Sequence, residues 1–351
     1  MYYKQQTEIE AKTNSDGFTL IELMVAMVIA SAVMAGIYSM FVMQQRTQVA
    51  EQVVVDMQQT LRAAMYMVER DIRMAGFDPT VTWGSDGKDN DGDTDTDEAD
   101  EKQTDRELDG VDNDGDGSID ATDADGEALG IVFAGPHAVK MTMDVKNDND
   151  RMHTSSNEII RYGFANKYDA DADGRADLNK GGAAPLGRAS GAGSLQPMAE
   201  DIQAVAFAYA YNYDGGAPVE NLDSQLDTSP GGNVIWVFDS DGDRLLDRVL
   251  DTNDDGVINA ADTPGGQDLI GTGWETAYVP LTRIRAVRIW HLARSRVPLK
   301  NYADTATYII GEKHIDARDS NRDGVVDGSD KADNFKRRLL TATIKCRNLG
   351  L

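Results

Sequence analysis

The sequence has little of what enzymes and disulfide-stabilised proteins depend on. It contains one cysteine, Cys346, so no disulfide can form within the chain, and one thiol near the terminus does not make a metal cluster. We expect Cys346 to be a small buried residue in a final strand. There is no Gly-rich phosphate loop and no nucleophile elbow. Zinc-type or triad-type spacing is also absent around the four histidines, His137, His153, His291 and His314. The sequence therefore predicts no catalytic activity.

Positive charge is scarce as well. Lys and Arg number 34 against 60 Asp and Glu, which gives a formal net charge of −26 over 351 residues. Nucleic acid is excluded as a partner, because neutralising phosphates requires clustered Lys and Arg. Much of the acid is Asp that lies close to Gly and Asn, and this pattern indicates ligands for cations. The length allows one or two domains.

One long apolar run stands near the start. Between Phe18 and Met43 the only charged side chain is Glu22. A helix of this length extends roughly 39 Å, enough to cross a hydrocarbon core of about 30 Å. The run therefore predicts a membrane-spanning helix. Glu22 is its anomaly, because an ionisable group inside a membrane segment is costly and usually has a function.

The residues around Gly17 carry a resemblance. Gly17 followed by Phe18-Thr19-Leu20-Ile21-Glu22-Leu23 resembles the class III signal of type IV prepilins and pseudopilins. The resemblance implies that a prepilin peptidase cuts between Gly17 and Phe18 and methylates the new amine. Residues 1–17 would be a cytoplasmic leader, and the chain after the membrane helix would lie outside the cytoplasm. Glu22 would pair with the Phe18 amine of a neighbouring subunit. The alternative is an uncleaved signal anchor in which Glu22 is incidental.

An amphipathic pattern continues the helix through residues 44–76. Apolar residues recur every three or four positions, and Gly76 and Pro79 form a stop signal. We predict one helix from about Phe18 to Ala75, with a second half that docks on a globular head. The docking face consists of Val49, Val53, Met57, Leu61, Met65, Val68 and Ile72.

Two further segments resemble PilW-type minor pilins. Arg70-Asp71-Ile72-Arg73-Met74-Ala75-Gly76-Phe77 is similar to the end of the stalk helix in that family. Arg337-Arg338-Leu339-Leu340, with Arg347-Asn348, is similar to its C-terminal segment. The resemblance implies a structural protein of the type IV pilus or its tip complex. Its partners would be other pilins, the inner-membrane assembly machinery and the prepilin peptidase.

The rest of the chain predicts an α+β fold, in which the long helix packs on a mainly antiparallel sheet. Residues 77–128 form an acidic insertion, residues 129–351 form a β-rich head, and residues 180–195 read as a Gly/Ala/Ser-rich loop. The predicted strands are Leu129–Ala134, Ala138–Val145, Glu158–Phe164, Ile202–Tyr213, Asn233–Phe238, Ile284–Leu292, Thr307–Ile310 and Leu339–Cys346.

Three acidic segments have the ligand spacing of a calcium loop. Each places oxygen side chains at positions 1, 3, 5, 9 and 12, Gly at position 6 and an aliphatic residue at position 8. Position 12 is Asp rather than the usual Glu, and the loops resemble dockerin or thrombospondin type 3 repeats. The ligands are Asp112, Asp114, Asp116, Asp120 and Asp123; Asp251, Asn253, Asp255, Asn259 and Asp262; and Asp319, Asn321, Asp323, Asp327 and Asp330.

Three more segments follow the spacing incompletely. Thr94 replaces the glycine in the first, Lys180 stands at position 12 in the second, and Arg244 replaces the glycine in the third. Their candidate ligands are Asp89, Asp91, Asp93, Asp97 and Asp100; Asp169, Asp171, Asp173 and Asp177; and Asp239, Asp241, Asp243 and Asp247. The alternative is that such runs are solvated linkers.

Calcium is therefore the expected cofactor, and it should stabilise the head. The expected function is that of a minor pilin. The alternatives are a pseudopilin of a type II secretion system and a membrane-tethered calcium-dependent binding module.

Overall fold

The computed structural model describes residues 17–77, 130–143, 158–213, 225–300, 302–322, 326–330 and 333–346. The chain divides into two compact units, Met1–Gln52 and Val53–Leu351, which are described separately below. The leader, most of the acidic insertion and the segment around Arg347 lie outside the described residues.

One helix, α1 (Leu20–Met74), runs through both units. Within the described residues it is the one helix long and apolar enough to cross a membrane; its most apolar window has a mean hydropathy of 2.3, and none of that window is buried. The predicted bounds, Phe18–Ala75, differ by only a residue or two. The helix ends at Gly76, which has a φ of 72° and donates its N–H to the Thr142 carbonyl at 3.0 Å.

The second half of α1 packs on the head. The docking face predicted from the sequence is buried from Met57 onward, whereas Val49 is 54% exposed. Packing of an amphipathic stripe, rather than helix propensity, stabilises this half of the helix. Its buried apolar residues are Met57, Leu61, Ala64, Met65, Val68 and Ile72.

Among the described residues of the head, ten strands form one antiparallel sheet, so the predicted α+β fold is confirmed. Two two-stranded ribbons, β7–β10 and β12–β13, and a short helix α2 (Leu269–Thr272) complete it. The strands are β1 (Gly130–Ala134), β2 (Val139–Thr142), β3 (Ile159–Gly163), β4 (Ala184–Ser190), β5 (Gln196–Tyr211), β6 (Val237–Phe238), β7 (Leu245–Leu246), β8 (Arg248–Val249), β9 (Gln267–Asp268), β10 (Val279–Pro280), β11 (Ile284–Arg294), β12 (Thr307–Ile310), β13 (Lys313–Asp316) and β14 (Arg337–Lys345).

The long strand β5 is the centre of the sheet. Strands β1 to β5 pair in sequence order, β11 pairs along the other edge of β5, and β14 pairs with β11. The far end of β5 also pairs with β6 through Tyr209 and Val237. Side chains alternate along β5, so Ala204, Ala206 and Ala208 lie on one face of the sheet and larger residues lie on the other. Both sets are buried in the core. Cys346 follows β14 and is fully buried.

The prediction of a loop over residues 180–195 is wrong, because β4 occupies Ala184–Ser190. This strand pairs with β3 and β5 through a register that places Gly187 opposite Gly163. A Cβ at Gly187 would lie 2.7 Å from the Leu195 Cβ and 3.2 Å from the Gly163 carbonyl oxygen. The glycine is therefore required by the close approach of strands, not by a flexible loop.

Candidate functional site

The first functional motif lies at the start of α1. The Glu22 carboxylate accepts hydrogen bonds from the Thr19 N–H at 2.9 Å and from the Thr19 hydroxyl at 2.8 Å. The Glu22 N–H donates to the Thr19 hydroxyl oxygen at 3.3 Å, which completes a capping box. Glu22 thus has partners within its own chain. The Thr-x-x-Glu spacing was a signal for this cap that the sequence reasoning did not use.

Three acidic loops, and parts of a fourth that lacks residues 323–325, lie within the described part of the head. They are the 169 loop (residues 169–180), the 239 loop (239–250), the 251 loop (251–262) and the 319 loop (319–330). The candidate ligands outside the described residues are Asp89, Asp91, Asp93, Asp97, Asp100, Asp112, Asp114, Asp116, Asp120, Asp123 and Asp323.

The carboxylate at position 1 organises each fully described loop. Asp251 is 4% exposed and accepts the N–H groups of Asp255 at 3.2 Å and Gly256 at 2.7 Å. The carboxylate of Asp169 accepts hydrogen bonds from the N–H groups at the same two positions of its loop, 5 and 6, at 3.0 and 2.9 Å. The carboxylate of Asp239 accepts the N–H groups of its positions 4 and 6 at 2.7 and 3.1 Å. These bonds hold the loops in a tight turn around the position-1 side chain.

The backbone repeats the same left-handed turn in all four loops. Position 4 has a positive φ in each, and position 6 has one in each of the three loops where it is described. Four of the five non-glycine residues with positive φ in the described chain fall at these positions, which shows that the turn is imposed even on unfavourable side chains. The residues are Ala172, Gly242, Asp254 and Arg322 at position 4, and Gly174, Arg244 and Gly256 at position 6.

The loops close in two ways. Where position 12 is Asp, that carboxylate ties the loop shut: Asp262 accepts the N–H groups of Thr252 at 2.8 Å and Asn259 at 2.7 Å. Asp330 does the same in the 319 loop, at 2.7 and 2.9 Å. In the 239 loop, position 12 is Leu250, and Asp247 at position 9 accepts the Ser240 N–H at 2.9 Å instead. Asp247 therefore closes the 239 loop in place of a carboxylate at position 12.

Two of these loops bring three carboxylates together. One oxygen from each of Asp169, Asp171 and Asp173 lies within 4.8 Å of the others, and Asp239, Asp241 and Asp243 form an equivalent group. Oxygens that share one calcium ion at about 2.4 Å can be at most about 4.8 Å apart, so the groups have the right size. Both groups belong to loops with incomplete spacing, whereas the 251 loop has Asn253 at position 3 and so offers one carboxylate fewer at positions 1, 3 and 5.

Charge in the loops is incompletely compensated. Burial raises the pKa of Asp169 to about 6 and raises the pKa of both Asp239 and Asp251 above the ordinary range. The N–H of Val257 lowers the pKa of the exposed Asp255. A carboxylate with a raised pKa favours its protonated form, and a bound cation relieves that tendency. The acidic clusters can therefore hold a metal ion.

His137, His291 and one groove lie apart from the candidate ligands of the acidic loops. His137 Nε2 lies 2.6 Å from the Glu312 carboxylate, and His137 Nδ1 lies 3.0 Å from the Ala172 carbonyl oxygen. His291 is fully buried in β11. A groove of about 610 Å³ between α1 and the β4–β5 hairpin is lined by Met67, Arg188, Ser190, Gly193, Ser194, Gln196, Pro197 and Met198. Among these lining residues there is no carboxylate and no histidine.

Comparison with known proteins bears on the N-terminal motif. Residues 12–38 match the family model of the prokaryotic N-terminal methylation motif. Among solved structures, a type IV-like pilin from Thermus thermophilus is similar, with 12% identity over 61% of this chain and 79% of that chain, and a TM-score of 0.23. A search of curated sequences gave no match. The motif supports a pilin-type structural protein.

Proposed function

We propose that this protein is a minor pilin of a type IV pilus, of the PilW type. Prepilin peptidase would cut between Gly17 and Phe18 and methylate Phe18. Residues 18–43 would anchor the protein in the inner membrane, with the head in the periplasm, before other pilins take it up into a filament or its tip complex. The match of residues 12–38 to the methylation motif is the observation on which this rests. The helix that continues from the motif onto the sheet adds support.

The N-terminal peptide decides between the alternatives. We would compare by mass spectrometry the protein in filaments sheared from cells with the protein in the membrane fraction. A chain that starts at methylated Phe18 in the sheared material is the expected result. Processed chain confined to the membrane would favour a type II secretion pseudopilin. A chain that keeps residues 1–17 would leave a tethered binding module.

The acidic loops support a second part of the proposal, a head stabilised by calcium. The buried Asp169 and Asp239 lie together with neighbouring carboxylate oxygens at a spacing that suits calcium, and the buried Asp251 occupies the same position in a loop with the same turn. Without a cation, clustered carboxylates repel one another and the loops should open. Binding to the folded state alone adds RT ln(1 + [L]/Kd), about 2.7 kcal/mol when the calcium concentration is 100 times Kd.

Thermal unfolding of the full chain in detergent tests this part. We expect 10 mM calcium to raise the Tm by several degrees over a sample in chelator, given extracellular sites with Kd of roughly 10⁻⁴ to 10⁻³ M. Asp239→Ala and Asp251→Ala should each reduce the shift. Glu200→Gln, which removes one charge from an exposed position outside the loops, should not. An equal Tm with calcium and with chelator would refute calcium stabilisation and leave the pilin assignment intact.

A further inference from the structure

Strand β14 lies at one edge of the large sheet. In the described part of the chain it pairs with β11 alone, and its nine paired positions, from Arg337 to Lys345, follow one another without a register shift. The strand contains neither proline nor glycine. Its outer side is therefore a regular row of backbone donors and acceptors that no strand of the described chain covers.

The register shows which backbone groups lie on that outer side. Cys346 donates its N–H to the Arg285 carbonyl oxygen at 2.9 Å, and the Ser295 N–H donates to the Lys336 carbonyl oxygen at 2.7 Å. Both bonds continue the ladder, so the even-numbered positions bond to β11. Because backbone groups alternate in direction along an antiparallel strand, those of the odd-numbered positions point to the open edge. In the middle of the strand these positions are Leu339, Thr341 and Thr343.

The other edges of the same sheet have features that prevent pairing. Among the described residues, β1 is a strand of five residues with a bulge between Ile131 and Phe133, and β9 has only two residues. Bulges and short strands are common means by which sheets prevent the addition of a further strand. Strand β14 has neither feature, so it is the edge at which a strand can be added.

The side chains of β14 leave apolar surface for an added strand. Leu339, Leu340 and Ala342 pack against the core but are only half-buried. Leu339 lies on one face of the sheet, and the other two lie on the opposite face. A strand at this edge would cover part of all three side chains. Such additions obtain their affinity from main-chain hydrogen bonds and their specificity from side chains.

The charge of β14 determines which strand fits. From Phe335 to Leu351 the sequence has five Lys and Arg and no Asp or Glu, although the whole chain has a formal net charge of −26. Arg338 and Lys345, near the two ends of β14, are exposed. Two copies of β14 paired with each other would bring cationic ends together, and like charges on opposite strands are destabilising. A strand with acidic ends would bring opposite charges together instead.

We propose that the open edge of β14 binds an extended segment of another protein, with acidic side chains at its ends, as an additional strand of the sheet. The outward backbone groups of Leu339, Thr341 and Thr343 hold the segment, and Arg338 and Lys345 select its charge. This inference depends neither on the assignment as a pilin nor on calcium.

Fluorescence anisotropy of two synthetic peptides tests the edge, with the full-length protein in detergent. Both peptides have nine residues, the length of β14, and alternate valine and threonine in the centre. One has two glutamates at each end, and the other has glutamines there. The glutamate peptide should bind at least tenfold more tightly. Because the whole chain is acidic, its net charge alone would favour the glutamine peptide.

Two variants separate the charge of the edge from its backbone. A variant carrying Arg338→Glu and Lys345→Glu keeps every backbone group and should lose the preference for glutamate. Thr341→Pro removes one outward N–H, a position at which edge strands tolerate proline, and should abolish binding of the glutamate peptide. The Tm of each variant reports its fold, and the charge-reversal variant decides the question even where proline lowers the Tm.

Hydrogen exchange measured by mass spectrometry locates the bound peptide. The glutamate peptide should slow exchange in residues 337–345 and leave β1, at another edge of the sheet, unchanged. Absence of binding to the wild type, or equal binding to a folded Thr341→Pro, would overturn strand addition. Equal affinity for the two peptides would overturn the selection of acidic ends. A dimer of the wild type that Thr341→Pro dissociates in sedimentation would assign the edge to a second copy instead.

Discussion

The carboxylate of Asp71 accepts a hydrogen bond from Arg188 Nε at 2.8 Å under the last turn of α1. The Tyr162 hydroxyl donates to the same carboxylate at 2.6 Å, and the Asp71 side chain is only 6% exposed. Burial and the nearby Asp71 carboxylate raise the pKa of Tyr162 far above its usual range, so the phenol remains a donor. One buried charge on the apolar face of the helix thus fixes the helix on strands β3 and β4.

Replacing Asp71 should therefore be costly. We expect Asp71→Ala to lower the free energy of unfolding by about 2–4 kcal/mol, since it leaves the Tyr162 hydroxyl and the Arg188 guanidinium without their acceptor. Urea unfolding of the full chain in detergent would measure the change. Asp56→Ala, on the exposed face of the same helix, should change stability by less than about 0.5 kcal/mol. Similar losses in the two variants would contradict this role of Asp71.

The buried His291 makes the head sensitive to acid. Burial lowers its pKa to about 4, against an ordinary value of 6.5, and neither ring nitrogen has a partner in the described chain. The unfolded chain therefore binds the proton more tightly. The contribution of His291 is fully present above pH 6.5 and is lost as the pH falls from about 6.5 to about 4.

The variant His291→Leu isolates the contribution of this histidine to the pH dependence of stability. Between pH 7 and pH 4.5 in chelator, we expect the wild type to lose about 2–3 kcal/mol more unfolding free energy than His291→Leu. Because both proteins keep the same carboxylates, the acidic loops contribute equally and cancel. Identical pH dependence of the two proteins would show that the folded state protonates His291 at its ordinary pKa.

The helix and the long strands could be predicted because their signals are local. The three- and four-residue spacing of the buried face appears in the sequence, and β12 has the predicted bounds of Thr307–Ile310. Strand β4 could not be recognised, because its small residues allow the close approach of β3, which is distant in sequence. Asp71 could not be recognised as a buried residue either, since Tyr162 and Arg188, two of its donors, lie on strands about a hundred positions away.

The backbone of the 239 loop offers a stabilising substitution. Arg244 is exposed and has a φ of 71° at the position where the other described loops have Gly174 and Gly256. A non-glycine residue in the left-handed region costs roughly 1–2 kcal/mol, whereas glycine adopts this conformation readily but loses more entropy on folding. We expect Arg244→Gly to raise the unfolding free energy by about 0.5–1 kcal/mol.

Denaturant unfolding in chelator measures this gain without interference from metal. Arg248→Gly places the same substitution in strand β8, where glycine weakens the backbone and φ is not constrained to positive values, so it should lower stability. A loss of stability in Arg244→Gly would mean that its side chain contributes more than the left-handed backbone costs.

Among the acidic loops, the spacing predicted the turn but not the distribution of charge. The aspartate at position 1 is buried in the 169 and 239 loops, whose ligand sets are incomplete, and in the 251 loop, whose set is complete, whereas Asp319 is only half-buried. In the 239 loop, Asp247 closes the loop in place of the absent position-12 carboxylate. The fold of the loop shows this, whereas the full ligand spacing does not predict it.

The capping box at the start of α1 makes the role of Glu22 testable. Glu22 can act as a cap for its own helix through Thr19, or as the partner of a Phe18 amine on another subunit, as proposed. A capping role alone would make Thr19→Ala and Glu22→Ala equivalent, since each removes one half of the box at a cost of about 1 kcal/mol. Pairing between subunits would make only the carboxylate essential.

We expect Glu22→Ala to reduce the amount of protein in sheared filaments at least tenfold, while Thr19→Ala reduces it less than twofold. Quantitative mass spectrometry of sheared and membrane fractions provides the measurement, with processing at Gly17 as the control that both variants reach the peptidase. Equal incorporation of the two variants would assign Glu22 to the helix cap and remove it from the subunit interface.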